Sequence, residues 1–433
     1  MFSRCEESTQ KRLLQTILLT IKFQRITIDL SWWGGETLDF KFFKGTSLMI
    51  RSRLMKGTVS ILALMLLLAG DPLLQAGVTK EAASKYLKDV QKGNPDFKSV
   101  GKITFGPGGL LVVADPAKAT ITVIDTHDVG PLKKLEQKVS KVDVAVASSL
   151  GVEPSQIDIA DMAVNSLSGN VYLAVNRKTD GQAAILMIDA QGKVKNFDLS
   201  EVDYIQVALP GGKDSKIRNI TGVALASDRL LAAAQSNEEF ANKIYSIPLP
   251  LTHGTSADIY SAETYHVAHK RWETKAPIQS FVPYSNKGKN YIVGAFACTP
   301  IAKFPLDELQ SGSKVKGTSV VELGSGNRPL DMLTYESDGK EWLLTNTFRF
   351  HWKKSMYGPS KWWGVRVNMD YLDAEDINEE AARRDVQQKT GPDGIEIVDQ
   401  LSGAVHIDKL QKKEIVVLRD NDGHFDLEIT ELP

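Results

Sequence analysis

One pattern recurs through most of this chain and limits what it can fold into. An apolar strand, a turn rich in Gly, Ser, Asn or Asp, a second apolar strand and then a third appear six times. The copies begin at Lys102, Asp161, Thr221, Gln279, Asp331 and His406, at intervals of 59, 60, 58, 52 and 75 residues. A period of this length with several strands per unit marks a radial β array. One small sheet cannot bury both of its faces, so neighbouring sheets must pack around a common axis. The predicted fold is all-β, a six-bladed β-propeller over 98–433, or seven-bladed if Pro131–Ile157 holds another unit. KVDVAVASSLG in that stretch reads either as an alternating strand or as an inserted helix. Two packed β-sandwiches are the competing architecture, but they would not share one internal period.

The wide last interval holds a polar, charged stretch, Asp370–Asp393, that reads as an insertion. Ahead of the repeats, Thr79–Gln91 has the pattern of a short helix within a lead-in at 77–97. Residues 49–76 have the layout of a secretory signal peptide: Arg51, Arg53 and Lys56, then an apolar Thr58–Ala69, then Leu74-Gln75-Ala76 before Gly77. The apolar run is short for a membrane span, although an uncleaved signal anchor is the alternative and the one membrane contact the sequence suggests. Residues 1–48 have no convincing period and read as an unfolded upstream extension. The expected location is therefore secreted or periplasmic.

The chain has 52 Lys+Arg and 53 Asp+Glu; without residues 1–76 these become 42 and 47. A mildly acidic chain has no footprint for nucleic acid. Cys298 is the only cysteine beyond residue 76, which excludes an intrachain disulfide there and reads as an inert core residue. No Gly-rich phosphate loop opens a helix and no GxSxG elbow occurs.

The phrases FGPGGLLVVAD and SGNVYLAVNR resemble secreted bacterial β-propellers of the broad NHL/lactonase-like type. The stretch from His266-Val-Ala-His269 through Asn327–Met332 is similar to secreted bacterial proteins that carry no assigned reaction. The resemblance covers about residues 98–433 and is one of fold, so any function drawn from it is by analogy. The tryptophan-docking repeat of quinoprotein dehydrogenases is absent.

In a propeller the starts of the innermost strands crowd the channel. The alignment puts Lys102, Asp161, Thr221, Gln279, Asp331 and His406 on one rim, with the second and fifth blades opposite each other. Asp161, Asp331, Gln279 and Thr221 offer hard oxygen donors suited to Ca²⁺ or another divalent cation, the only cofactor suggested. Lactonase-like propellers use such an ion to polarise a carbonyl, which implies ester hydrolysis with His406 as base. The bland reading of an Asp at such a position is a cap that accepts backbone N–H bonds from a neighbour. His266 and His269, flanked by Glu263 and Glu273, form a second cluster that can ligate zinc if the segment is helical; incidental surface histidines are the alternative. Trp352, Trp362 and Trp363, flanked by basic residues, form a candidate contact surface for a small molecule, carbohydrate or protein, or else fill a gap between blades. A binding or scaffold module and a metal-dependent lactone hydrolase are thus the two expected functions.

Overall fold

The computed structural model describes residues 85–433 apart from 212–215, 227, 299, 325, 354–359 and 379–391, together with three strands nearer the N terminus. The chain divides into two units, Met1–Asp71 and Pro72–Pro433. In the first, Arg25–Asp29, Thr37–Phe43 and Ser47–Ile50 form an antiparallel sheet. That sheet lies in the stretch expected to carry no fold. The signal-peptide reading falls almost wholly outside the described residues, as do residues 79–84 of the expected helix. Of that helix only Lys85 and Tyr86 are helical among the described residues. Leu87 already pairs with Leu251, and Gln91–Gly93 is a strand. Tyr86 and Leu87 are drawn into a buried core, which overrides the local helical pattern.

The second unit is a six-bladed β-propeller, with the blades numbered here in chain order. Blade 1 contains Ile103–Phe105, Leu110–Asp115 and Thr120–Asp125 from the channel outwards. Blade 2 contains Ile157–Val164, Val171–Arg177, Ala183–Ile188 and Val194–Asn196. The innermost strands of blades 3, 4, 5 and 6 are Ile217–Leu225, Ile278–Asn286, Asn327–Ser337 and Ala404–Gln411. Second strands carry apolar runs such as LLVVA in blade 1 and IVVL in blade 6 because the blades are covered on both faces. Leu110–Asp115 is buried at every position. No seventh blade forms: KVDVAVASSLG supplies α1, Val142–Ser149, the only α-helix of that length among the described residues.

Alternate residues of each blade feed two different cores, as the period of two requires. Leu110 and Val112 of blade 1 pack with Leu230 and Tyr245 of blade 3. Leu111 and Val113 pack with Tyr172 and Ala174 of blade 2. The other face of blade 2, through Leu173 and Leu186, meets Val416 and Leu418 of blade 6. Further cores join blades 3 and 4, 4 and 5, and 5 and 6. Contacts between innermost strands follow the same circuit.

The ring order is therefore 1-3-4-5-6-2, and this corrects the expected geometry. Blade 2 is inserted between the third and fourth strands of blade 1, because the fourth strand of blade 1 is Val202–Ala208. On the way into blade 2 the chain touches the outer edge of blade 6, where Val139 and Leu427 exchange two backbone hydrogen bonds of 2.9 and 2.8 Å. Blades 2 and 5 are thus not opposite each other; blade 5 faces blade 1.

Candidate functional site

Every innermost strand is interrupted at one level. In blades 2 to 6 the antiparallel register slips at Ala160, Thr221, Gln279, Leu330 and Val405, each an extra residue in a β-bulge. In blade 1, Gly101 donates to Ala114 O while Ala114 N donates to Lys102 O, the same two-against-one pairing. A bulge re-aims the side chain that follows it. The residues after the six bulges are Lys102, Asp161, Gly222, Ser280, Asp331 and His406. Thr221 and Gln279 are therefore one residue out of phase with the other four candidates. Both line the cavity above, and the buried Thr221 hydroxyl donates to Ala233 O at 3.3 Å within its own sheet. Neither joins the carboxylates. Gly222 is required where it stands: a Cβ there would lie 2.7 Å from the Phe281 ring.

The channel level is thus divided. Blades 1, 2, 6 and 5 contribute Lys102, Asp161, His406 and Asp331, whereas blades 3 and 4 contribute only Gly222 and Ser280. Lys102 Nζ reaches across the channel to donate to Asp331 Oδ1 at 2.7 Å, and also to Asp161 Oδ1 at 2.9 Å and Leu330 O at 3.0 Å. The second oxygen of each carboxylate accepts a backbone N–H from the next blade: Ile103 at 2.7 Å for Asp161 and Ile407 at 3.1 Å for Asp331. Asp331 N donates to Asn346 Oδ1 at 2.9 Å, and Asn346 Nδ2 donates to Ala404 O and Val405 O. His406 Nδ1 lies 3.1 Å from Asp331 Oδ2 and 3.4 Å from Asp161 Oδ1.

These contacts set the charges. Burial works against the Lys102 ammonium, but Asp161 and Asp331 hold its pKa well above the ordinary value. Burial likewise opposes the His406 imidazolium, and Asp331 outweighs it, so that pKa is also raised. Asp331 is held low, with Lys102 and His406 overcoming its burial. Asp161 goes the other way, raised chiefly by burial. Below the cluster, Asp408 accepts N–H bonds of 2.7 Å from Val164 and Lys409, yet burial pushes its carboxyl up to about 7.

Asp161, Asp331 and His406 offer ligand atoms within 4.8 Å of one another, close enough for a metal. The position between the two carboxylates, however, is filled by Lys102 Nζ. An ammonium at 2.7 and 2.9 Å from both takes the place of an ion that would need Ca–O bonds of about 2.3–2.6 Å to the same oxygens. The donor set fits Lys102 rather than a divalent cation, and each Asp also has the capping role.

Above the cluster opens a cavity of 540 Å³. Lys102 and His406 lie at its base. Asn176, Asn219, Gln279 and Arg328 supply polar wall, and Phe348 with Trp362 supply apolar wall. The two rings are 5.7 Å apart, and Lys361 Nζ sits 4.0 Å from the Trp362 centroid. Of the three candidate tryptophans, only Trp362 borders this space. Trp363 is buried, donates Nε1–H to Asn327 Oδ1 at 2.9 Å and packs between blades 4 and 5, so it belongs to the core. Trp352 is half-buried and does not line the cavity. Cys298 lies in a turn with φ 64° and is half-buried rather than part of the core.

His266 and His269 do meet. His266 ends the strand Asp258–His266, and Val267–His269 forms a 3₁₀ turn that stops at left-handed Lys270. The eclipsed i, i+3 geometry of that turn places the two imidazole centroids 3.9 Å apart. His266 is fully buried and so is not part of a binding surface, while His269 remains accessible.

No protein-family model and no curated protein matches this sequence. Among solved structures, the PQQ-bound aldose sugar dehydrogenase of Streptomyces coelicolor is 12% identical over 80% of this chain and 100% of that one, with a TM-score of 0.29. The α-L-arabinanase of Cellvibrio cellulosa is 11% identical over 64% and 98%, with a TM-score of 0.29. The Malassezia sympodialis allergen Mala s 1 is 10% identical over 79% and 96%, with a TM-score of 0.33. At these scores the matches carry no argument about this chain; the propeller assignment rests on its own six sheets.

Proposed function

We propose that this propeller is a binding module for a small, hydroxyl-rich ligand of the carbohydrate class, held in the channel mouth. The observation that carries the reading is the 540 Å³ cavity, which joins an aromatic wall at Trp362 and Phe348 to a ring of hydrogen-bonding side chains. Its size falls in the range of small-molecule sites. A sugar ring presents apolar C–H faces to an aromatic surface and hydroxyls to amides and charged groups. At the base the three N–H groups of Lys102 are already given to Asp161, Asp331 and Leu330 O, so His406, oriented through Nδ1 by Asp331, is the group there that suits orienting a neutral polar ligand. Hydrolysis through a channel metal finds no support while Lys102 occupies the place of the ion.

The test is calorimetric titration of the purified protein with a panel of neutral mono- and disaccharides. At least one should bind, and Trp362→Ala should weaken it about tenfold or more without changing thermal stability appreciably. Absence of binding across the panel, or binding unaffected by Trp362→Ala, defeats the reading. Export through residues 49–76 is part of the same proposal. Mature protein recovered from an expressing cell should begin near Gly77, and a product retaining residues before Met49 would refute it. Among the described residues no helix is long and apolar enough to cross a membrane.

A further inference from the structure

At the outer edge of blades 3 and 4, distinct from the channel, we infer a binding site for one transition-metal ion of the Zn²⁺ class, ligated by His266, His269 and Glu273. The residues come together because the strand Asp258–His266 turns through the 3₁₀ segment and returns as Arg271–Glu273, which pairs with it. Glu273 Oε1 lies 2.6 Å from His269 Nδ1 and 3.6 Å from His266 Nδ1. The three ligand atoms all lie within 4.8 Å of one another. A tetrahedral ion with bonds of about 2.0–2.1 Å separates its ligand atoms by about 3.3 Å, between the two measured distances.

A second observation points to a ligand. His266 is 0% exposed, and its Nδ1, the atom on the side of the proposed ion, makes no hydrogen bond among the described residues. Such a side chain is costly to bury unless something else satisfies it. Its Nδ1 is the atom nearer Glu273. Its Nε2 lies 3.0 Å from Glu322 Oε1, a carboxylate only 2% exposed that also accepts the Ala268 N–H at 3.2–3.3 Å. A carboxylate behind the distal nitrogen of an imidazole is the usual arrangement for orienting a metal-bound histidine. Glu322 is therefore a positioning residue. The set is two imidazoles and one carboxylate, with His269 accessible, so solvent completes the coordination. Arg271 Nε, 3.3 Å from Glu273 Oε1 and itself exposed, is the cation an ion would displace.

The experiment uses the full chain, stripped with chelator, and titrated with ZnCl₂ by calorimetry and with CoCl₂ by visible absorption. One Zn²⁺ per chain should bind, and Co²⁺ should show the intense bands of a four-coordinate site. His269→Ala and Glu273→Gln, both on the accessible side, should each weaken Zn²⁺ binding at least tenfold with unchanged circular dichroism. Glu322→Gln should weaken it about 10–100-fold. No binding to the wild type, binding untouched by His269→Ala and Glu273→Gln, or binding lost instead in Asp331→Asn would overturn the assignment. The last outcome would move the ion to the channel.

Discussion

Two clusters in this protein are built from the same materials, histidine and two carboxylates, and they are completed differently. In the channel, Lys102 lies between Asp161 and Asp331, and His406 Nδ1 bonds Asp331, so each charged group has a partner. At the blade 3–4 edge, His266 sits between Glu273 and Glu322, and among the described residues no lysine is ion-paired to either carboxylate; Arg271 approaches Glu273 from solvent. Whether such a cluster is self-sufficient or open to a metal thus turns on one side chain. The carboxylates alone do not decide it.

The sharpest way to break that contrast is to remove the lysine. Lys102→Met leaves two buried carboxylates without their cation, and loss of one partner from a buried pair costs about 3 kcal/mol or more. Urea denaturation at pH 7 should show that loss. The same variant should acquire divalent-ion stabilisation in the channel that the wild type lacks, which a thermal melt with and without CaCl₂ would read. If Lys102→Met is as stable as the wild type, the ammonium does not hold this site together.

His406 gives the next effect. Its folded pKa is raised above the ordinary histidine value, so its contribution is complete below about pH 6.5 and disappears as pH rises through the folded value. His406→Asn should therefore cost about 2 kcal/mol at pH 6, the scale of a charge-assisted hydrogen bond, and clearly less at pH 9. A cost that is flat or grows with pH would mean that the imidazole is neutral in the folded protein.

The period of about 60 residues made the blades legible, since each unit is a local hairpin with its third strand, and hairpins announce themselves through turns and apolar runs. Asp161, Asp331 and His406 were legible through the same alignment, because they hold equivalent positions in three copies. The ring order was not, since it depends on which blade receives an outer strand. The available signal was a mismatch in strand supply: blade 1 has three strands before the long linker at 126–156, whereas the second copy is followed by a surplus strand, Val202–Ala208. The alignment places Lys102 on the rim but does not indicate its role, because with blades 2 and 5 opposite a lysine from blade 1 has no reason to span the channel. The alignment assigned Thr221 and Gln279 one residue out of phase because a bulge adds a residue without leaving a mark in hydropathy.

That slip sets the smallest test. If Thr221 were a channel ligand, replacing its hydroxyl would alter what the channel binds. In the structure the hydroxyl donates to Ala233 O at 3.3 Å inside blade 3, and the side chain is buried. Thr221→Val keeps the shape, removes one neutral hydrogen bond and should cost about 1 kcal/mol or less. It should leave saccharide affinity and Zn²⁺ affinity at wild-type levels. Gln279→Ala, at the neighbouring bulge and with its side chain on the same cavity, should disturb ligand binding more than Thr221→Val does. If calorimetry shows the reverse ranking, the Thr221 hydroxyl faces the ligand rather than Ala233 O, and the bulge register of blade 3 is misassigned.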